Sequence, residues 1–497
     1  MKLRGYLSII FGCLLLATAR CGNSGPTKAD GHEVSLRIGV ARVGSSSAIT
    51  GLRPIVQNLT EEGLVRIGDD GRVEPRLAEK VERTGDGLTV RLHLRPGIRF
   101  HDGSLASAPV MVGVLQTTLP QVMGPAFADV DRIAAHGDNT IEIKLKRASL
   151  MLEETLEMPI RKPNSPSIST GPFSLANPDS VEELRANANY YLGRPAVDRI
   201  VLTNYPTVRA AWADMLRSRV DMLYEVGGDA LEFMQDARNV SVFSFTRPYQ
   251  YVVFLNVRSP KLRSATLRRA LNLAIDRNAL VRDAFEGHGA PSVGPISPRH
   301  WALANGLPEF AFDPARAAKL LASGASSQGV AGGGTLHFTC LVPPDYERVA
   351  LVVKRQLESI GVVMDLQETS SDGAARAIGT QAFEAVIADV ISGPSLFRTY
   401  GIWHSDNPRH FSALGSPAMD ATLDRIMHAG SEDAYRQAVG AFQEFVVNDP
   451  PAIYLAWGER ARAVSRRFNV PAEPGRDVLT TLRLWKPSGD ERLASRN

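Results

Sequence analysis

Hydrophobic and polar side chains alternate over residues 88–95, where leucine or valine occupies every second position. This period of two predicts a strand with one buried face. Asp-Gly and Pro-Gly pairs flank the segment at 86–87 and 96–97, so the pattern indicates an antiparallel meander. The same alternation recurs at 34–40 and 141–145. The first third of the chain is therefore predicted to be rich in β-strands.

A helical period of three to four residues replaces this alternation in the second half of the chain. Apolar residues there share one face in four predicted helices, at 266–274, 277–285, 314–323 and 349–360. Asp276 and Asp313 precede two of these helices and are predicted to cap them, because an aspartate side chain accepts the free N–H groups of a first turn.

Apolar strands are predicted beside these helices at 336–342, 362–366 and 385–391. Strand, helix and strand in succession indicate a parallel βαβ unit. The second half is therefore predicted to be α/β, joined to the β-rich first part near residues 246–260.

The first residues indicate an export signal, since Lys2 and Arg4 precede an apolar stretch at 6–19. This stretch is shorter than the about twenty residues of a membrane-spanning helix. Two cleavage sites compete. An Ala-x-Ala site ends at Ala19, and a bacterial lipoprotein pattern ends at Cys21, although Arg20 stands where that pattern has a small residue.

We predict an export signal at 1–21 and a polar tether at 22–33, which favours the lipoprotein interpretation. Cys21 would then carry the lipid, and the protein would be extracytoplasmic, in the periplasm or at the outer cell surface, and anchored to a membrane. Cleavage after Ala19 remains the alternative.

Composition limits the class of protein. The length of 497 residues predicts two to four domains, and the net charge of +3 with no long run of lysine and arginine disfavours a nucleic-acid partner. Cys340 is the only cysteine after the tether and is predicted to be buried and unreactive. Motifs for nucleotide loops, zinc sites and nucleophile elbows are absent from the sequence, so no enzyme class and no cofactor is predicted.

Residues 403–410 combine two histidines and an aspartate and could bind a metal ion. Their spacing fits no ligand motif. A solvated loop is the favoured interpretation, and no metal site is predicted.

Six segments in order resemble the extracytoplasmic solute-binding proteins of family 5, the oligopeptide-, dipeptide- and nickel-binding group of ABC importers. The resemblance covers about residues 34–468. The matching segments include an "EGL" helix end, a "TGPF" turn and an "ALNLAIDR" helix, and they lie at 58–65, 73–103, 170–173, 189–195, 247–256 and 267–277.

The resemblance implies an α/β, two-lobed, periplasmic-binding-protein-like fold of type II, in the large peptide-binding subclass, with a β-rich subdomain inserted in lobe one. It also implies a monomeric solute-binding subunit that binds a peptide or peptide-like small solute between the lobes and delivers it to ABC permease subunits, without catalysis. The domains are predicted as lobe I at 34–51, the inserted subdomain at 52–165, lobe I at 166–250, α/β lobe II at 251–468 and a return to lobe I at 469–497.

Seven ligand-binding residues are predicted on or after the crossing segment. They are Tyr249, Tyr251, Asp389, Ser392, Arg398, Trp403 and His404, the last two from a loop. In the peptide-binding relatives this region carries a tryptophan and then an aspartate that pairs with the amino terminus of the ligand. Residues 383–394 of this chain hold no tryptophan, and Asp389 is the one candidate aspartate.

Explanations without ligand binding remain open for these residues. Core packing would equally explain the tyrosines, solvation at a strand end would explain Asp389, and a surface position would explain Arg398. The ligand could be a peptide, a nickel complex, a sugar or another solute. Two other functions remain open: a sensor on the same scaffold without transport, and a periplasmic hydrolase, for which no nucleophile motif is found.

Overall fold

The computed structural model of the chain describes residues 33–41, 52–227, 236–327, 335–406 and 416–489, together with Leu231 and Met234. The predicted export signal, Cys21 and the tether up to residue 32 lie outside these described residues. The described residues from Val34 onward form one structural unit. Among the described residues, no helix has both the length and the apolar composition needed to cross a membrane.

The strands in chain order are β1 (Ser35–Ala41), β2 (Val65–Ile67), β3 (Val73–Pro75), β4 (Ala78–Arg83), β5 (Thr89–Leu94), β6 (Val130–His136), β7 (Thr140–Leu145), β8 (Phe173–Asn177), β9 (Ser180–Ala186), β10 (Arg199–Tyr205), β11 (Met222–Val226), β12 (Val240–Leu255), β13 (Gly289–Pro291), β14 (His337–Val342), β15 (Val363–Glu368), β16 (Ala385–Ile391), β17 (Ala452–Ser465), β18 (Phe468–Asn469) and β19 (Lys486–Pro487).

The α-helices are α1 (Leu52–Thr60), α2 (Ala108–Met123), α3 (Leu152–Thr155), α4 (Val208–Leu216), α5 (Ala265–Leu273), α6 (Arg277–Phe285), α7 (Pro314–Ser327), α8 (Glu347–Glu358), α9 (Ser371–Thr380), α10 (Leu396–Trp403), α11 (Pro417–Met427) and α12 (Glu432–Asn448). Short 3₁₀ helices cover Gly124–Asp129, Pro344–Tyr346 and Val478–Leu484.

One large mixed sheet runs through the molecule in the order β15-β14-β16-β12-β17-β11-β1-β10-β9-β8, with β13 paired to β17. We call β1 and β8–β11 its first half and β14–β16 its second half. In the first half β1 is parallel to β10 and β11, and in the second half β14 is parallel to β15 and β16. The predicted α/β fold class is confirmed.

A separate four-stranded sheet has the order β4-β5-β7-β6 and is antiparallel throughout. It contains the meander predicted from the alternation at 88–95. Its inward side chains, such as Val90, Leu92 and Ile141, are fully buried together with Met111 and Leu115 of α2. This apolar face and α2 form part of a hydrophobic core that continues to Phe254 of β12 and Val386 of β16.

Helix α1 belongs to a different core, although the predicted inserted subdomain begins at residue 52. Its apolar face, with Leu52 and Ile55, packs with Leu36 of β1 and Phe173 of β8. The helix is therefore part of the first half of the large sheet, and the chain enters the four-stranded sheet only after β2 and β3.

Strands β12 and β17 connect the two halves of the large sheet. The first part of β12 pairs with residues 459–465 of β17, and its second part pairs with β16 and with residues 452–457. The register shifts between Thr246 and Gln250, at the middle of β12. Strand β17 already pairs with β11 at Ala461, before position 469 at which the sequence predicts the return to lobe I. The lobe boundaries themselves stay a prediction.

Arg277, the last residue of the "ALNLAIDR" segment, has a structural role. Its buried guanidinium donates hydrogen bonds to the carbonyl oxygens of Ser292 and Tyr454 at 2.7 and 2.9 Å, and to those of Asn272 and Phe310 at 3.1 Å. Burial lowers its pKa to about 9. These bonds connect the start of α6 to β17, and the carbonyl acceptors explain this charge in an apolar core without a ligand.

Two glycines of the family-like segments are required by close backbone contacts. A Cβ on Gly63 would lie 2.5 Å from the carbonyl oxygen of Glu157, and one on Gly171 would overlap the carbonyl oxygen of Thr60. The Gly171 N–H also donates to that Thr60 oxygen at 3.0 Å. The "EGL" and "TGPF" segments therefore hold backbones together at one edge of the cavity described below.

Replacing Gly171 with alanine is expected to lower the free energy of unfolding by about 2 kcal/mol, because the new methyl group overlaps backbone atoms. Gly113 of α2 is a matched control, since a Cβ there would meet nothing within 4 Å. Gly113→Ala should leave stability unchanged or raise it by up to about 1 kcal/mol. Urea unfolding measures both, and equal stability of the two variants would contradict the explanation.

Candidate functional site

A cavity of about 1040 Å³ lies beside the register shift of β12. Its walls come from the segments 57–67, 154–161, 245–249, 389–402 and 475–483. They thus include α1 and its following turn, the crossing strand β12, and the end of β16 with α10. The volume is at the upper end of the about 300–1,000 Å³ that small-molecule sites span.

Three of the seven predicted ligand-binding residues line this cavity: Tyr249, Asp389 and Arg398. Tyr249 and Asp389 come from the paired strands β12 and β16, and Arg398 comes from α10. The guanidinium of Arg247 lies 3.9 Å from the centre of the Tyr249 ring. This stack fixes the ring at the point where β12 passes from one half of the sheet to the other.

Asp389 is half-buried and carries the most distinctive environment of the three. The hydroxyl of Tyr346 donates to its Oδ1 at 2.8 Å. Burial raises the pKa of the Asp389 carboxyl, and the Tyr346 hydrogen bond and the charges of Arg247 and Arg460 oppose that rise. Among the described residues no cation forms an ion pair with Asp389. Its charge is therefore stabilised by the Tyr346 hydroxyl and by the more distant Arg247 and Arg460.

Those two arginines already share another carboxylate. Arg247 and Arg460 lie 3.1 and 3.0 Å from Oε1 of Glu225. Arg398 is likewise engaged, at 2.7 Å from Oε2 of Glu157. A ligand cation can therefore approach Asp389 without displacing an existing ion pair.

The other four predicted residues do not line the cavity within the described part of the chain. Tyr251 packs against Phe285 and Tyr346 with ring centres 4.7 and 6.0 Å apart. Ser392 is fully buried, and no hydrogen-bond partner is present for its hydroxyl among the described residues.

Trp403 and His404 are also in the core. Trp403 is the last residue of α10 rather than part of a loop, and only 1 % of its surface is exposed. Its ring packs against Phe254 and Tyr454. The His404 ring stacks on Tyr400, with centres 4.5 Å apart. The end of α10 therefore places both side chains in the core and not in the lining of the cavity.

The metal interpretation of residues 403–410 is only partly covered by the structure, because 407–410 lie outside the described residues. Within the described residues, no group of three or more histidine, cysteine, aspartate or glutamate side chains is placed to hold a metal ion. Cys340 is fully buried, as predicted, and burial raises its thiol pKa to about 12.

Sequence reasoning missed the carboxylates at the other side of the cavity. Glu62 is buried, with Oε1 at 2.9 Å from Nε of Arg76 and 2.7 Å from the Tyr190 hydroxyl. Its Oε2 has no hydrogen-bond partner in the described part of the chain. Burial raises the pKa of this carboxyl, against the effect of Arg76 and Arg483. The "EGL" segment contains Glu62, but no local pattern marks it as a cavity residue.

Glu154 is the second missed carboxylate and joins separate parts of the chain. This buried residue of α3 accepts hydrogen bonds from the Ser395 hydroxyl at 2.8 Å, the Phe397 N–H at 3.0 Å and the Tyr435 hydroxyl at 2.8 Å. Burial raises its pKa, and the nearby Glu157 adds to the rise. The four-stranded part of the molecule is thus bonded to α10 and α12 at the cavity wall.

The lining contains many charged side chains, and most of its arginines are paired with carboxylates. Five of its arginines form ion pairs with carboxylates: Arg66 with Glu74, Arg76 with Glu62, Arg161 with Glu61, Arg247 with Glu225 and Arg398 with Glu157. Two further lining arginines, Arg299 and Arg483, form no ion pair with any described residue. Such a wall offers hydrogen-bonding and charged groups to a polar solute rather than an apolar surface.

Residues 72–400 match the family profile of "Bacterial extracellular solute-binding proteins, family 5 Middle". The chain is 26% identical over 293 residues to a probable di/tripeptide-binding protein 5 of Pseudomonas aeruginosa, and 24% identical over 299 residues to heme-binding protein A of Haemophilus influenzae. These matches cover 51% and 52% of this chain and 56% and 54% of the relatives, so the chain spans little more than half of each relative's length.

A solved structure extends the likeness to nearly the whole fold. NikZ from Campylobacter jejuni in complex with Ni(L-His) superimposes with a TM-score of 0.76, covering 91% of this chain and 99% of that chain at 18% sequence identity. At this identity the likeness establishes the fold alone. The predicted periplasmic-binding-protein-like fold is confirmed.

Proposed function

The chain belongs to the bacterial extracellular solute-binding proteins of family 5, and from this premise we propose that it is the solute-binding subunit of an ABC-type importer. It binds a peptide or peptide-like small solute in the cavity and delivers it to a membrane permease. The protein acts outside the cytoplasm as a monomer, held to a membrane through a lipid on Cys21. Its action is binding alone, with no bond made or broken in the solute.

The cavity at the crossing strands is the observation that carries this proposal. Segments 57–67 and 154–161 form one side, 389–402 forms another, and residues 245–249 of β12 pass between them. The two connecting strands, with the register shift at 246–250, are suited to bending as the sides close on a solute. Closure around a ligand gives a permease a shape that it can distinguish from the empty protein.

The lining supports a peptide-like solute. A peptide has an ammonium group, amide N–H and C=O groups and a carboxylate. The cavity wall contains side chains that can bind each of these groups. We propose that the ammonium group binds Asp389, that Tyr249 packs on the solute, and that Arg398 contacts it beside Glu157. The di/tripeptide-binding relative is consistent with this solute class.

A thermal-shift and calorimetry panel tests the solute class on the purified chain. The panel contains di- and tripeptides, nickel with L-histidine, and heme, which are the ligand types that the related proteins are described as binding. We expect at least one peptide to raise the melting temperature, because a ligand at 100 times its Kd stabilises the folded state by about 2.7 kcal/mol. Binding of heme or nickel-histidine with no response to any peptide would contradict the proposal.

Transport is separated from sensing by an uptake assay. Deleting the gene is expected to abolish accumulation of the labelled peptide in cells, and a plasmid copy should restore it. Unchanged uptake in the deletion strain, together with peptide binding by the purified protein, would favour a sensor on the same scaffold. A hydrolase would be recognised by cleavage of the bound peptide in the calorimeter cell.

A further inference from the structure

Two arginines that form no ion pair with any described residue line the cavity, and from them we infer that the preferred solute is a short acidic peptide that carries a second carboxylate. The inference rests on the proposed function and adds the charge of the substrate. It follows from the charges that the folded chain leaves uncompensated around the cavity.

Arg483 is the first of these arginines. It lies in the 3₁₀ helix Val478–Leu484, is half-buried and lines the cavity. Burial raises the pKa of the Glu62 carboxyl, and the charge of Arg483 is the smallest of the effects that oppose this rise. Glu62 is already paired with Arg76 at 2.9 Å, and no described carboxylate forms an ion pair with Arg483. The Arg483 guanidinium therefore keeps its hydrogen-bond donors for a solute.

Arg299 is the second and reaches the cavity from a different segment, eight residues after β13. It is exposed at the cavity wall, where its guanidinium lies beside Gly475. It too forms no ion pair with any residue that the structure describes. The two arginines come from separate segments. Neither guanidinium forms an ion pair or donates a hydrogen bond to any described residue.

The remaining charges of the lining are balanced or shielded. The other five lining arginines are paired, as are Asp69 with Arg476 and Asp477 with Arg462. Glu154 is enclosed by three neutral donors, and burial raises its pKa. Glu154 and Asp389 are the two lining carboxylates without an ion pair among the described residues, and of these only Asp389 is not enclosed by three donors. Two cationic groups thus face the solute against one anionic group.

This pattern complements a definite ligand chemistry. A guanidinium binds a carboxylate through two parallel hydrogen bonds, which is the preferred geometry for recognising carboxylates in proteins. One arginine takes the terminal carboxylate, the other takes a side-chain carboxylate, and Asp389 takes the ammonium group. A peptide with a cationic side chain would bring like charges together at Arg299 and Arg483 and is disfavoured.

Calorimetry with a matched pair of peptides tests the inference on the full protein. Alanyl-glutamate and alanyl-glutamine differ in one carboxylate and have nearly the same shape. At pH 7 and 0.15 M salt we expect alanyl-glutamate to bind at least about tenfold more tightly, the effect of one charge-assisted hydrogen-bonding contact. The variants Arg483→Gln and Arg299→Gln should each weaken alanyl-glutamate about tenfold.

The two variants also assign the carboxylates. The arginine that binds the side-chain carboxylate should, when replaced, reduce the preference to within about twofold, whereas the other variant should weaken both peptides equally. Arg316→Gln is the matched control, because Arg316 is exposed on α7 and does not line the cavity. It should change neither affinity, and melting temperatures check that all three variants fold.

Three results would overturn the inference alone, and a fourth would overturn the proposed function as well. Equal affinity of the wild type for both peptides, or a preference that survives unchanged in both cavity variants, contradicts the acidic solute and leaves the proposed peptide-binding function standing. Tighter binding of alanyl-lysine than of alanyl-glutamate has the same meaning. Failure of every peptide in the panel to bind would overturn the proposed function and this inference with it.

Discussion

Replacing Glu154 with alanine is expected to lower the free energy of unfolding by about 3 kcal/mol, because three buried donors lose their acceptor together. The donors are the Ser395 hydroxyl, the Phe397 N–H and the Tyr435 hydroxyl, each within 3.0 Å of the carboxylate. Water cannot replace the carboxylate freely at this site, since Ser395 is 3 % exposed and Tyr435 is 1 % exposed. The loss therefore includes the cost of leaving buried polar groups unpaired.

Glu154→Gln is the matched variant for this prediction. The glutamine oxygen can accept from Ser395 and Phe397, and its amide N–H can donate to the Tyr435 hydroxyl oxygen, so all three contacts are kept but the bond to Tyr435 is reversed. We expect this variant to lie within about 1 kcal/mol of the wild type in urea unfolding at pH 7. Alanine and glutamine variants of equal stability would show that the hydrogen bonds to Glu154 contribute nothing to the contact between α3 and α10.

The same carboxyl gives a pH dependence with a definite sign. Burial raises the pKa of Glu154 in the folded protein above its ordinary value of 4.5. The folded state therefore binds more protons than the unfolded state between these two values, and stability falls as the pH rises through that window. The contribution is fully present below about pH 4.5 and is lost above the folded-state pKa. Glu154→Gln should flatten this part of the pH profile of unfolding, and an unchanged profile would contradict the assignment.

Local sequence patterns predicted much of the fold because they are set by neighbouring residues. The alternating segment 88–95 contains β5, and the predicted strand at 385–391 is β16 with the same bounds. Asp276 caps α6 as predicted, since its Oδ1 accepts the Ala279 N–H at 2.9 Å. The family resemblance is confirmed as well. For the strands and the helix cap, the information lies within one turn or one strand, whereas the resemblance rests on several such segments in order.

The candidate site was only partly predictable because its members are brought together by the tertiary fold. Tyr249 was predicted from its place on the crossing segment and Asp389 as the one charge in an apolar strand, and both line the cavity. Trp403 was predicted to lie in a loop. A segment rich in aromatic and polar residues is as typical of a binding loop as of a helix end that packs on the core. Arg299 and Arg483 are separated by more than 180 positions, and no local pattern relates them.

Replacing Asp389 with asparagine is expected to weaken peptide binding roughly a hundredfold, the size of loss seen when one partner of a partly buried charge pair is removed. The fold should persist, because the asparagine oxygen can still accept the Tyr346 hydroxyl, now 2.8 Å from Oδ1. Asp372→Asn is the matched control, since Asp372 is exposed on α9 and does not line the cavity. Unchanged peptide affinity of the Asp389 variant in calorimetry would reject its assignment to the ammonium group.

The pH dependence of binding distinguishes a charge contact at Asp389 from a packing role. Burial raises the pKa of the Asp389 carboxyl, so its ionised form is lost at a higher pH than in an exposed aspartate. Peptide affinity should therefore fall as the pH is lowered through this raised pKa, while the ligand ammonium group stays protonated. Arg247 and Arg460 oppose the rise without forming an ion pair with Asp389 and keep the carboxylate available for the solute. Calorimetry over a pH series should show this fall in the wild type and its absence in Asp389→Asn; parallel profiles would place the titrating group elsewhere in the cavity.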